Sequence, residues 1–163
     1  MDIYTIIILL HVAGTILGVG GATIAEVSIH KALKDGTVSV DEKALLHGTY
    51  TVLRVGMGLI ILSAVLMIWY HTANDTIRIL LSDRILFKGL LFTVIVCNAV
   101  AISKHWVPLW LGAGISFTSW WMAAGLGVIG YVPYSFITYL VIFLIATPII
   151  TLILHLLRNH HKF

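Results

Sequence analysis

The chain has 163 residues, of which 60% are hydrophobic and 10% charged, with a net charge of +3. Its mean hydropathy is +1.03. A water-facing domain carries about a quarter charged residues, so this surface faces lipid. The basic residues cluster at the ends of apolar runs, which excludes a nucleic-acid partner. The single cysteine, Cys97, excludes an intrachain disulfide and a cysteine-based metal cluster.

Several runs reach the roughly 20 apolar residues that cross a bilayer as a helix. They are continuous rather than alternating, so the pattern is helical and not that of a barrel. The expected fold is all-α: one polytopic transmembrane helical bundle of about five spans, filling residues 1–163 as a single domain.

The first helix is expected from Ile3 to Ile29. No positive region precedes it and its apolar run exceeds that of a signal peptide, so it reads as a retained helix. It opens with "LLHVAGTILGVGG", an ionisable His11 in an apolar setting. Such residues are rare at membrane depth and are functional candidates by default. Gly14, Gly18 and Gly21 follow on nearly the same face as His11. They suit close helix packing, as in the small-residue motif "GTILG", or the approach of a flat ligand. Glu26, further along, is expected to pair with Arg54 or a loop lysine.

A polar loop follows, with a turn signal at Asp35-Gly36. Ser39 and Glu42 have the spacing of a capping box, and helix two is expected from Asp41 to Tyr70. Its half-apolar beginning should project from the bilayer, with Arg54 at the interface as an anchor or an anion clamp. His71 ends this helix, and "HTANDTIR" reads as a loop. Ser82-Asp83 is expected to cap helix three, which runs to Lys104 and carries Lys88, Cys97 and Asn98. Helix four is expected from Pro108 to Gly130. Its Ser116, Thr118 and Ser119 suit bonding between helices, and Trp120 and Trp121 suit packing or a ligand wall. "GYVP" is a turn, helix five is expected from Tyr134 to Leu157, and "RNHHKF" forms a basic tail.

Lys31, Lys34, Lys43, Lys104, Arg158 and Lys162 gather on one side, which is therefore expected to be cytoplasmic. With five spans the N-terminus would lie outside and the C-terminus inside. Taking Val27, Arg54 and Lys104 as interface markers, helical rise puts His11, His71 and Lys88 at one depth, about 25 Å from that face. His47, His105 and His155 gather near the cytoplasmic face, either as a metal or second haem site or as separate interfacial groups. None has a spacing that places two ligands on one helix face. The four methionines have no copper-relay grouping.

"LLHVAGTILGVGG", "LRVGMGLIILSAVLMIW" and "ILFKGLLFTVIV" together resemble a group of small bacterial membrane proteins. That group includes the HemJ-type protoporphyrinogen oxidases and the CopD-type copper-resistance proteins. The resemblance rests on His11, the pair Gly20-Gly21, Arg54 and Lys88, and spans residues 7–104. It implies a bacterial inner-membrane protein that binds b-type haem or a metal and performs electron transfer or porphyrinogen oxidation. His11 would be the iron ligand or acid–base group, with Lys88 its catalytic partner. His71 or a cytoplasmic-side histidine would help ligate, and Arg54 or Lys88 would hold a propionate. A homodimer or small oligomer and an electron-transfer partner are further expectations. The alternative is a non-catalytic small membrane transporter or assembly subunit, since each of these residues also has a packing or interfacial explanation.

Overall fold

The computed structural model describes residues 2–32, 39–129 and 134–160. They form five long helices and one short 3₁₀ helix: α1 (Ile3–Ala32), α2 (Val40–Ala73), the 3₁₀ helix (Ile77–Leu81), α3 (Asp83–Ser103), α4 (Leu109–Val128) and α5 (Phe136–His160). The all-α bundle expected from the apolar runs is therefore present. The turns expected at Asp35-Gly36 and "GYVP", and the end of the basic tail, lie outside the described residues.

Helix starts follow local chemistry. Asp2 accepts a bond from the Thr5 amide at 2.8 Å and begins α1. At α2 the Ser39 hydroxyl accepts from the Glu42 amide at 3.2 Å, and the Glu42 carboxylate accepts from the Ser39 amide at 2.8 Å. That is the reciprocal capping box expected from the spacing. Ser82 precedes α3 as expected, but its side chain makes no capping bond. Instead the Asp83 carboxylate accepts from the Phe136 amide at 3.0 Å, tying the start of α3 to the start of α5. The "HTANDTIR" segment is more ordered than a loop: it leads into the 3₁₀ helix through Asp75, whose φ of 53° is left-handed. Aspartate adopts that region more readily than most residues.

Four helices, α1, α2, α3 and α5, are long and apolar enough to cross a membrane. The less apolar α4 takes the centre, packed against α1, α3 and α5. Its Gly112, Gly114, Thr118, Ser119 and Trp120 are buried in protein. At about 30 Å it still matches a hydrocarbon core in length. Neighbouring helices, rather than lipid, cover its polar groups.

Small residues govern the packing, as expected where lipid supplies no hydrophobic drive between helices. A Cβ on Gly14 would lie 2.9 Å from the Gly56 carbonyl oxygen, and one on Gly56 3.0 Å from the Gly14 carbonyl oxygen. The α1 and α2 backbones therefore touch. A Cβ on Gly18 would fall 2.0 Å from the Trp120 ring, so this glycine seats the indole. Gly21 faces Leu53. All three glycines behind His11 are thus filled by neighbouring helices. The second core joins α3, α4 and α5, where Phe87 stacks on Tyr139 at 5.6 Å beside Leu91 and Phe143.

Polar side chains divide their bonds. Asn98 donates to the Gly112 carbonyl at 2.7 Å across α3 and α4, and the Trp121 indole donates to Thr23 at 3.2 Å across α4 and α1. Thr118 and Ser119 instead bond back within α4, to Gly114 and Ile115. The expected bonding between helices holds for Asn98 and not for Thr118 and Ser119.

Glu26 pairs with neither Arg54 nor a described lysine. It meets Arg158 of α5, with Nε to Oε1 at 2.9 Å and Nη2 to Oε1 and Oε2 at 2.5 and 2.6 Å. Both side chains are buried, 10% and 5% exposed respectively. Arg158 is therefore a clamp closing α5 onto α1, rather than part of a solvated tail. Breaking a buried pair strands a charge, which costs about 3–5 kcal/mol. Glu26→Ala should lower stability by that order in detergent unfolding. Replacing both residues with leucine should recover most of the loss.

Candidate functional site

The touching of α1 and α2 fixes what surrounds His11. One turn from Gly14, the His11 Nδ1 lies 3.0 Å from the Ser63 hydroxyl of α2. Ser63 is fully buried, and its hydroxyl donates to the Ile60 carbonyl at 3.0 Å. A serine has one proton to give. With Ile60 taking it, Ser63 accepts from His11, the arrangement in which the imidazole proton sits on Nδ1. Nε2 then carries the lone pair, the form that ligates metal or accepts a proton.

Lys88 enters the bundle from α3. It lies by the end of α4, where a Cβ on Gly127 would be 3.9 Å from Nζ. Arg84, one turn earlier, donates to the Leu126 carbonyl of the same helix end. Unpaired carbonyls at a helix C-terminus favour cations. This explains why two basic residues enter the bundle here. Among the described residues Lys88 has no ion pair.

His71 is not part of this group. It is buried at the end of α2, its Nδ1 2.8 Å from the Thr76 hydroxyl and its ring edge-on to Tyr4 at 5.6 Å. It lies eight residues beyond Ser63, about 12 Å along the helix. The equal depths expected for His11 and His71 rested on Val27 and Arg54 being level. They are not: Gly21, not Val27, faces Leu53, so α2 extends further past His11 than that reckoning allowed. Arg54 lies on the other side of the crossing, nine residues from Ser63 in the opposite direction. His71 and Arg54 are thus held apart from His11.

The other expected histidine group is also dispersed. His47 and His105 are exposed, and His155 packs on Trp110 with ring centres 5.0 Å apart. The left-handed φ of His105, 57°, closes the turn between α3 and α4. Among the described residues no three His, Cys, Asp or Glu side chains converge as a metal site.

Two cavities open between the helices. One, about 350 Å³, lies among α3, α4 and α5 beside Arg84 and Tyr139. The other, about 490 Å³, lies between α2 and α3 with Trp120 as one wall and Arg54 on its rim. His11 and Lys88 line neither. Ser63 and Gly56, which orient His11 and admit it to its place, carried no distinctive sequence signal. Only their position in span two, opposite a histidine in span one, could have drawn notice. Compared with protein-family models, with characterised proteins and with solved structures, the chain matches none.

Ser63→Ala removes the acceptor that fixes the His11 proton. Imidazole ¹⁵N spectra of the protein in lipid nanodiscs should show protonated Nδ1 for His11 in the unmodified chain. The variant should show a mixture of tautomers.

Proposed function

We propose that this integral membrane protein is a redox protein of the HemJ/CopD kind, in which His11 and Lys88 serve a bound b-type haem. The observation that carries the reading is the bond between His11 Nδ1 and the buried Ser63 of α2, which turns Nε2 away from that partner within an apolar bundle. A ligating histidine is commonly oriented by a bond from its other ring nitrogen, the part that Ser63 plays for His11. The donors present would offer such a group one imidazole, that of His11. A His11–His71 pair does not fit, because His71 stands about 12 Å further along α2 than the Ser63 that holds His11.

Haem would supply reversible one-electron chemistry at its iron. The chain's own contributions are distinct. His11 offers a neutral nitrogen with no rotation required. Lys88 offers a positive charge to a propionate or another carboxylate, undiminished by an acidic neighbour. Electron transfer is the simplest activity that this set serves; porphyrinogen oxidation would use the His11 Nε2 as a proton acceptor in place of ligation. We place the chain in a bacterial inner membrane, N-terminus outside, with the exposed Lys43 and Lys104 on the cytoplasmic side. A homodimer or small oligomer and a separate electron-transfer protein complete this reading.

One observation favours a second reading, that of a non-catalytic small transporter or assembly subunit. Gly14, Gly18 and Gly21 are occupied by helix packing, and His11 lines neither of the two cavities described. Visible spectra of protein purified with haem supplied separate the two. The redox reading predicts a Soret band with a change on dithionite reduction, lost in His11→Ala and retained in His71→Ala. A colourless protein, or an unchanged band in His11→Ala, would overturn it in favour of the second reading.

A further inference from the structure

The cavity between α2 and α3 has a polarity of its own. At one end stand Tyr50, Arg54 and Ser103; deeper in stand Met57, Ile95 and Trp120. From Ser103 to Ile95 the groove runs about 12 Å along α3. Its volume, about 490 Å³, falls in the range that encloses a small ligand. The two helices that flank it, α2 and α3, do not pack extensively on each other. The rim residues Val96 and Val100 are exposed, so the groove opens sideways, toward where lipid lies.

Arg54 is the chemical clue. It makes no ion pair or hydrogen bond to a described residue. The nearby acids are already engaged: Glu26 holds Arg158, and Glu42 is bound in its capping box. An arginine fork at the mouth of an apolar groove matches an anionic head joined to an apolar tail. Basic pockets between membrane helices bind acidic lipid headgroups in this way.

We infer that the groove between α2 and α3 is a binding site for an anionic phospholipid, with the phosphate on Arg54 and an acyl chain laid toward Trp120. The head is held by Arg54 and the Tyr50 hydroxyl; the tail meets Met57 and Ile95. The site is separate from His11 and Lys88 and does not depend on a cofactor there. Trp120 links the two regions mechanically, since the indole that walls the groove is also seated on Gly18 of α1.

Native mass spectrometry of the detergent-purified full chain tests this, with phosphatidylglycerol and phosphatidylcholine of identical chains as probes. The unmodified protein should retain phosphatidylglycerol about fivefold better, the worth of one cation at a lipid surface. Arg54→Gln should abolish that preference. Ala99→Trp, which fills the groove and leaves Arg54 in place, should lower occupancy by both lipids. Equal retention of the two lipids, or a preference unchanged in Arg54→Gln, would overturn the inference. So would displacement of phosphatidylglycerol by millimolar inorganic phosphate, which would make the site one for a free anion. A lipid-free dimer whose dissociation follows Ala99→Trp would likewise overturn it, by showing that a second copy fills the groove.

Discussion

The contact on which the rest depends is the one between the α1 and α2 backbones at Gly14 and Gly56. Neither residue has a side chain to hold the helices apart, and neither has room for one. In lipid, where apolar side chains gain nothing by leaving the solvent, such close approach is a principal source of helix association. Its consequences lie on both sides of the crossing. Toward the start of α1 it brings His11 within bonding distance of Ser63. Toward the other end it sets Gly18 against Trp120 and Gly21 against Leu53. The tautomer of one histidine and the wall of one cavity thus follow from a single point where two chains touch.

Charge is handled with the same economy. Glu26 and Arg158 neutralise each other in the interior and clamp the last helix to the first. Arg84 and Lys88 gather at the carbonyl end of α4, where the helix itself supplies negative potential. The groups left without partners are the informative ones. Lys88 has no ion pair among the described residues, and Arg54 stands at the mouth of a groove. A cation without an acidic partner in an apolar bundle marks a place where an anion would be welcome.

Much of the fold was legible because its signals are local. Length and hydropathy marked the helices, and Ser39 with Glu42 marked a start to the residue. The site was legible in part. His11 and Lys88 stood out because ionisable groups in apolar runs are rare. Ser63 and Gly56 did not, because serine and glycine are ordinary residues in membrane helices and their meaning lies in what faces them. Relative depth was the weakest inference. Counting along each helix needs a shared origin, and α2, with 34 residues, is far longer than the bilayer requires. An offset between α1 and α2 therefore separated His71 from His11. Glu26 and Arg158 lie 132 residues apart, and no spacing rule connects them.

The central claim is that the glycine crossing, and not the His11 neighbourhood alone, fixes the imidazole. The most direct measurement is the His11 ¹⁵N spectrum of Gly56→Val in nanodiscs, compared with the unmodified chain. Residue 56 lies seven positions from Ser63, about 10 Å along α2, and does not touch the ring. If the crossing governs the site, the valine parts the helices, the bond to Ser63 is lost and His11 shows mixed tautomers. If His11 keeps a fully protonated Nδ1 in a folded Gly56→Val protein, the crossing does not govern the site and the claim is contradicted.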